Sequence, residues 1–361
     1  MSYEQLDELI EQAAQMEHCP SQVELLEEAV READRLGDVE AGFEVRMDYI
    51  EAATFSGFPE KSLVAFSWCL SQYDEDEESV DEFDLLWKYK WVLNSLPDFP
   101  QISKRQILEM QDDMAIRYEK AGYNQRPVHY MRWQNYMAMG DFEQAFDNIE
   151  KWKLEPRDWM ADCEACEADR HVDLMVELGR HEEAVKIAQP ILNEELTCAE
   201  IPHCTLAGIL NPLVRLGRDA EAVRYHQRGY KLICKNQAFL KETGEHLQYL
   251  VRARSLKRGF RLLERHLPWA AEVNELHSRF VFYLSSSLLL SLLSKQEPNK
   301  RIRLSVPAQL SCHREDGTYV IADLANWFEQ ETANLAGQFN QRNGNDYYTR
   351  RIELAKQFVG V

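Results

Sequence analysis

Four segments of the chain share one shape, and their spacing limits what it can fold into. FSGFPEKSL at Phe55, AMGDFEQAF at Ala138, ELGRHEEAV at Glu177 and RLGRDAEAV at Arg215 each set a glycine five residues before a small residue. The pairs are Gly57 and Ser62, Gly140 and Ala145, Gly179 and Ala184, and Gly217 and Ala222. A fifth, degenerate copy, ARSLKRGF, has Arg254 in the glycine's place and Gly259 in the small residue's. Successive copies lie 83, 39, 38 and 37 residues apart, so the first interval has room for one extra unit. A period of about 34–40 residues with helical sequence on both sides of a turn glycine points to stacked helical hairpins.

The physical reason for the pattern is local. Glycine ends the first helix of a hairpin by taking a left-handed backbone, and the small residue five positions later lets the second helix lie close to the first. A single hairpin cannot bury its apolar stripe, so the core has to come from stacking. Composition agrees: 361 residues that are 45% hydrophobic, with 15 Gly and 12 Pro thinly spread, favour helix almost throughout and can bury a core. The acidic amphipathic start, MSYEQLDELIEQAAQ, lacks the basic and apolar regions of a secretory signal. Eight scattered cysteines fit reduced thiols. A cytoplasmic protein with no membrane partner is therefore expected. The most apolar run, FVFYLSSSLLLSLL from Phe280 to Leu293, is shorter than the roughly 20 residues a spanning helix needs and reads as a buried helix.

Of the net charge of −20, residues 1–100 carry −19, with 25 acidic against 6 basic side chains. Between Arg215 and Arg265 the sign reverses, 13 basic against 5 acidic, with Tyr225, Tyr230 and Phe260 interleaved. Such a field can steer a partner or simply solvate helix surfaces. The phosphate-binding, nucleophile-elbow, zincin and dinucleotide motifs are all missing from the sequence, and no enzyme activity is expected.

The Leu-Gly and Ala positions of ELGRHEEAV and RLGRDAEAV resemble the tetratricopeptide repeat family. The likeness spans residues 38–270 and departs from that family in repeats longer than 34 residues and in the motif-free stretch Val80–Gly122, which reads as two helices around LPDFP. The resemblance implies an all-α fold, an α-α superhelix of helical hairpins. Residues 1–37 would form an acidic N-terminal cap of two helices split at Cys19-Pro20. Residues 271–361 would be C-terminal capping helices that include a short strand at RIRLSVP, a turn at HREDGTY, and two final helices around a QRNGND break.

The same resemblance implies a groove lined by the second, fifth, ninth and twelfth positions of each first helix. Those positions fall on Tyr130, Gln134 and Met137; on Cys166, Asp169, Asp173 and Val176; on Cys204, Ala207, Asn211 and Val214; and, in the weaker first unit, on Met47, Glu51 and Thr54. Amides there can bond a peptide backbone and carboxylates can hold a basic group. Second helices of this family face outward, so the basic stretch lies largely on the convex side, and the acidic N-terminal third repels polyanions; nucleic acid is not an expected partner.

The pair Cys163 and Cys166, followed by His171, raises the question of a metal. In the repeat register His171 is a packing residue. Cys166 and Cys204 fall on neighbouring first helices about 8–10 Å apart, beyond the roughly 7 Å between Cα atoms that a disulfide spans. Zinc would need Cys163, Cys166 and Cys204, with His203 or Cys198, and these meet only if the loop between units bends inward. A redox Cys-x-x-Cys belongs at a strand-to-helix turn, which an all-α chain lacks. The expectation is therefore no metal and no cofactor. The functional expectation is a non-catalytic scaffold or regulator that binds a protein or peptide of basic character. The alternatives are a peptide-sensing regulator acting on a second protein and a metal enzyme built on the Cys163 region. Oligomeric state is left open by the sequence.

Overall fold

The computed structural model describes residues 3–76 and 81–361. Residues 1 and 2 of the expected N-terminal cap, and Val80 at the head of the motif-free stretch, lie outside the described residues. The fold is all-α with one two-stranded ribbon among the described residues, and helices pack on their neighbours in sequence. The chain forms two compact units, one of residues 1–136 and 142–161, the other of residues 137–141 and 162–361.

In the first unit α1 (Tyr3–Ala14), α2 (Pro20–Leu36), α3 (Val39–Phe55), α4 (Pro59–Glu75), α5 (Glu82–Ser95) and α6 (Lys104–Lys120) pack each on the next. The helices α7 (Arg126–Ala138) and α8 (Phe142–Leu154) follow. Pro20 and Pro59 open their helices, where a missing N–H costs nothing. Arg46 ties α2 to α3: its guanidinium meets both carboxylate oxygens of Asp34 at 2.8 and 2.9 Å and lies 3.9 Å over the Trp68 ring.

The second unit contains α9 (Glu164–Glu177), α10 (His181–Leu192), α11 (His203–Gly208), α12 (Leu210–Arg215), α13 (Asp219–Ile233), α14 (Leu240–Arg252), α15 (Leu256–Glu272) and α16 (Leu276–Gln296). The ribbon of β1 (Arg301–Arg303) and β2 (Thr318–Val320), antiparallel with Ile302 opposite Tyr319, precedes α17 (Ile321–Asn343) and α18 (Tyr347–Val359). The short helices α11 and α12 are one first helix interrupted at Ile209, because Pro212 has no N–H to give the Gly208 carbonyl. Contacts of α9 with α11, α11 with α14 and α14 with α16 make a layer of first helices, backed by α10, α13 and α15.

The turns show why the repeat is written as it is. Gly179 has φ +69°, and beyond it Arg180 N–H donates to the Met175 carbonyl at 2.8 Å, a bond spanning five residues that closes the helix end. Gly217 repeats this with Arg218 and Leu213 at 2.8 Å. The degenerate copy does so too: Arg254 takes φ +56° and Ser255 N–H bonds the Leu250 carbonyl at 2.9 Å. The small residues Ser62, Ala145, Ala184, Ala222 and Gly259 are all buried, where each lets two helices approach.

By length and composition α16 could cross a membrane, yet two thirds of its apolar window is buried inside the protein against α14, α15 and α17. The last helix, α18, runs past the turn ends of the first helices. Asn345 donates to the Met139 carbonyl at 2.8 Å, and Phe358 lies 4.9 Å below the Arg215 guanidinium and 5.7 Å from that of Arg252.

Candidate functional site

The chemistry of the second unit concentrates where α9, α11 and α14 lie side by side. On α9, Arg170 stands 3.5 Å from Asp169 and 3.0 Å from Asp173. On α14, Lys241 is 3.4 Å from Glu242 and 4.0 Å from Glu245. Asp173 also acts electrostatically on Lys241 and Glu245, so the two pairs form one field. Carboxylates outnumber cations in it. Burial pushes the Glu245 carboxyl up to about 8, helped by Glu242 and Asp173 and opposed by Lys241. Burial, then the charge of Asp173, pushes Asp169 up to about 6, and burial raises Glu200 as well. These groups are crowded by protein without being sealed: Asp173, Lys241 and Glu245 keep 34%, 25% and 22% of their side-chain surface open to solvent.

The expected groove residues fall into two kinds. Tyr130, Met137 and Asp169 are buried. Tyr130 packs edge-on to Trp133 at 5.7 Å, and Asp169 accepts a hydrogen bond from the Thr205 hydroxyl, fastening α9 to α11. Glu51, Gln134, Asp173 and Asn211 keep partial exposure. Glu51 pairs with Lys88 at 3.6 Å in the first unit, and Asn211 donates to Gln248 at 2.6 Å in the second. The structure therefore groups Asp169 with Asp173, while Glu51, Tyr130 and Gln134 belong to the other unit. Sequence reading passed over Lys241, Glu242 and Glu245. Had the register been carried through Arg254 as the turn residue, the second and ninth positions of α14 would have been Lys241 and Gln248.

A second cluster sits at the start of α9. Cys163 is the N-cap residue and accepts the Cys166 N–H at 3.3 Å, so both sulfurs crowd one helix end. Cys198 comes from the α10–α11 loop, and its Sγ is 3.4 Å from that of Cys166. All three Sγ atoms lie within 4.8 Å of one another. Cys204, which sequence reasoning placed in the set, packs in the adjoining apolar patch around Ala165, Ile191 and Ile201 instead. The Cys163 thiol is held well below its usual range because it accepts from the Cys166 and Cys198 thiols and from backbone N–H groups of the helix start, and the same contacts push Cys166 up. His171 is half-buried with Nδ1 3.1 Å from the Glu167 carbonyl.

No protein-family model and no curated protein matches this sequence.

Proposed function

We propose that the chain is a non-catalytic binding protein of the tetratricopeptide type, an adaptor or regulator, whose second unit holds a basic segment of a protein or peptide partner. The observation that carries this reading is the surplus of carboxylates along α9 and α14, where Asp169, Asp173, Glu242 and Glu245 face Arg170 and Lys241, with Asp173 and Glu245 half-open and burial raising the Asp169 and Glu245 carboxyls. A Lys or Arg side chain placed beside Asp173 and Glu245 would favour the charged form of Glu245 and gain charge-assisted hydrogen bonds to the two carboxylates of about 1.5–3 kcal/mol each. The neighbouring amides of Asn211 and Gln248 can serve a peptide backbone.

The test is affinity capture from a host lysate with the wild type and with a D173N/E245Q variant, followed by anisotropy titration of the captured segment. Retention of a basic segment by the wild type, weakened about tenfold or more by the variant, is the expected result. Removing charge without changing shape keeps the helices packed, which a matching melting curve would check. Equal binding by both proteins overturns the placement of the site.

A further inference from the structure

We infer that Cys163, Cys166 and Cys198 form a three-thiolate site for a soft divalent cation, zinc in the cell, with a fourth coordination position facing solvent. Zinc–sulfur bonds of about 2.3 Å arranged tetrahedrally put ligand sulfurs about 3.8 Å apart. The observed 3.4 Å between Cys166 and Cys198, and the 4.8 Å limit on all three, bracket that value. A cation therefore fits after side-chain shifts of no more than about 1 Å.

Two features make the site a built one. Cys163 and Cys166 occupy the N-cap and third positions of α9, whose geometry turns both side chains toward the helix end. The loop that brings Cys198 is anchored at both ends. Glu195 and Leu196 N–H groups both donate to the Pro190 carbonyl, at 2.8 and 3.2 Å, while Arg228 meets Glu194 at 2.6 Å and the Leu192 carbonyl at 3.2 Å. On the far side the Cys198 N–H bonds the Ile201 carbonyl at 2.9 Å, and the Ile201 side chain is buried against Ala165 and Ile191.

The number of sulfurs matters as well. A disulfide would use two and strand the third, whereas a thiophilic cation uses all three, and soft thiolate sets select such ions over magnesium or calcium. Cys163 is exposed, so water or an incoming donor can complete the shell. A cation here would pin the α10–α11 loop to α9, and the loop carries Glu200, which lies electrostatically beside Arg170 and Lys241.

The experiment is anaerobic titration of the reduced full-length protein with cadmium, followed by thiolate-to-metal charge-transfer absorption, with cobalt as a second probe of ligand number. One cadmium per chain with a three-thiolate signature is expected, and C163S, C166S or C198S should each weaken binding by at least about 100-fold. C204S and C234S should bind as the wild type does. Circular dichroism on the serine variants separates lost ligation from lost folding. Wild-type affinity in folded C198S, equal loss in C204S, or a Cys166–Cys198 disulfide in protein purified without oxidant would each overturn the inference.

Discussion

Substituting alanine for Gly244 destabilises the protein by about 2 kcal/mol, and valine there by about 3 kcal/mol or more, although both residues are better apolar fillers than glycine. A Cβ built at Gly244 meets the Phe282 backbone nitrogen at 2.9 Å, the Phe282 Cα at 3.0 Å and the Val281 carbonyl carbon at 3.0 Å. These are main-chain atoms of α16, a helix buried on nearly every side, so no side chain can swing away. The helices α14 and α16 must separate, and every contact along that interface lengthens. Against this stands a helix-propensity gain of about 1 kcal/mol for leaving glycine, which the collision exceeds. Gly337 in α17 supplies the control: a Cβ there meets nothing within 4 Å, and G337A should stabilise by about 0.5–1 kcal/mol. Urea melts of G244A, G244V and G337A check the pair. Equal behaviour of G244A and G337A would sink the close-packing account.

Gly244 also shows what was legible in the sequence. The turn residues were, because a glycine five positions before a small residue has one physical use between helices; even Arg254 was placed correctly, and it takes the left-handed backbone the position demands. The ends of the chain were legible too: the break at Cys19-Pro20, the short strand at Arg301 and the two last helices all follow from Pro, alternation and Gly-Asn signals. Gly37 and Gly122 were legible as the ends of the N-terminal cap and of the motif-free stretch, but not as turn glycines of the same left-handed kind, because their spacing falls outside the repeat.

The sites were harder to see. Periodicity assigns residues to a helix face, so Asp173 and Asn211 could be named, but a face position says nothing of how deeply a neighbouring helix covers it, and Tyr130 and Asp169 are buried. Cys198 lies in a loop, where no periodicity acts. Its place beside Cys166 is fixed by the anchoring of Ile201 and by Arg228, contacts between residues that are distant in the chain. The packing of α18 across Met139, Arg215 and Arg252 is of the same kind.

The second large effect concerns acid, and it comes from imidazoles sealed inside the second unit. His246 and His266 are fully buried, with His246 Nδ1 3.1 Å from Nδ1 of the half-buried His226 and His266 Nε2 2.8 Å from the Tyr230 hydroxyl. The Trp269 ring lies 4.2 Å from that of His266. Burial, then the charge of Arg265, lowers His266 to about 3; burial, then Arg258, lowers His226 to about 4; and burial, then His226, holds His246 well below the usual range. With the folded pKa below the unfolded value of 6.5, the unfolded chain binds protons first as pH falls. The stability these groups lend is therefore complete above about pH 6.5 and is lost progressively down to their folded pKa values.

At 1.36 kcal/mol per pKa unit, His266 alone costs about 3 kcal/mol by pH 4, a large share of the roughly 5–15 kcal/mol that holds a domain folded. Glu245 and Asp169 have raised carboxyls and act in the opposite direction, gaining stability as pH falls, so the absolute curve mixes both. The difference between wild type and H266F removes that mixture, since the carboxylates are common to the two. At pH 7 the phenylalanine variant should be weaker by about 1 kcal/mol for the lost acceptor of Tyr230. By pH 4 it should be the more stable protein, the gap having moved by about 3 kcal/mol in its favour. Denaturant midpoints of both proteins across that range give the answer: a gap that does not move with pH means that His266 gains its proton in the folded state as readily as in the unfolded one, and that the sealed imidazole is no acid sensor.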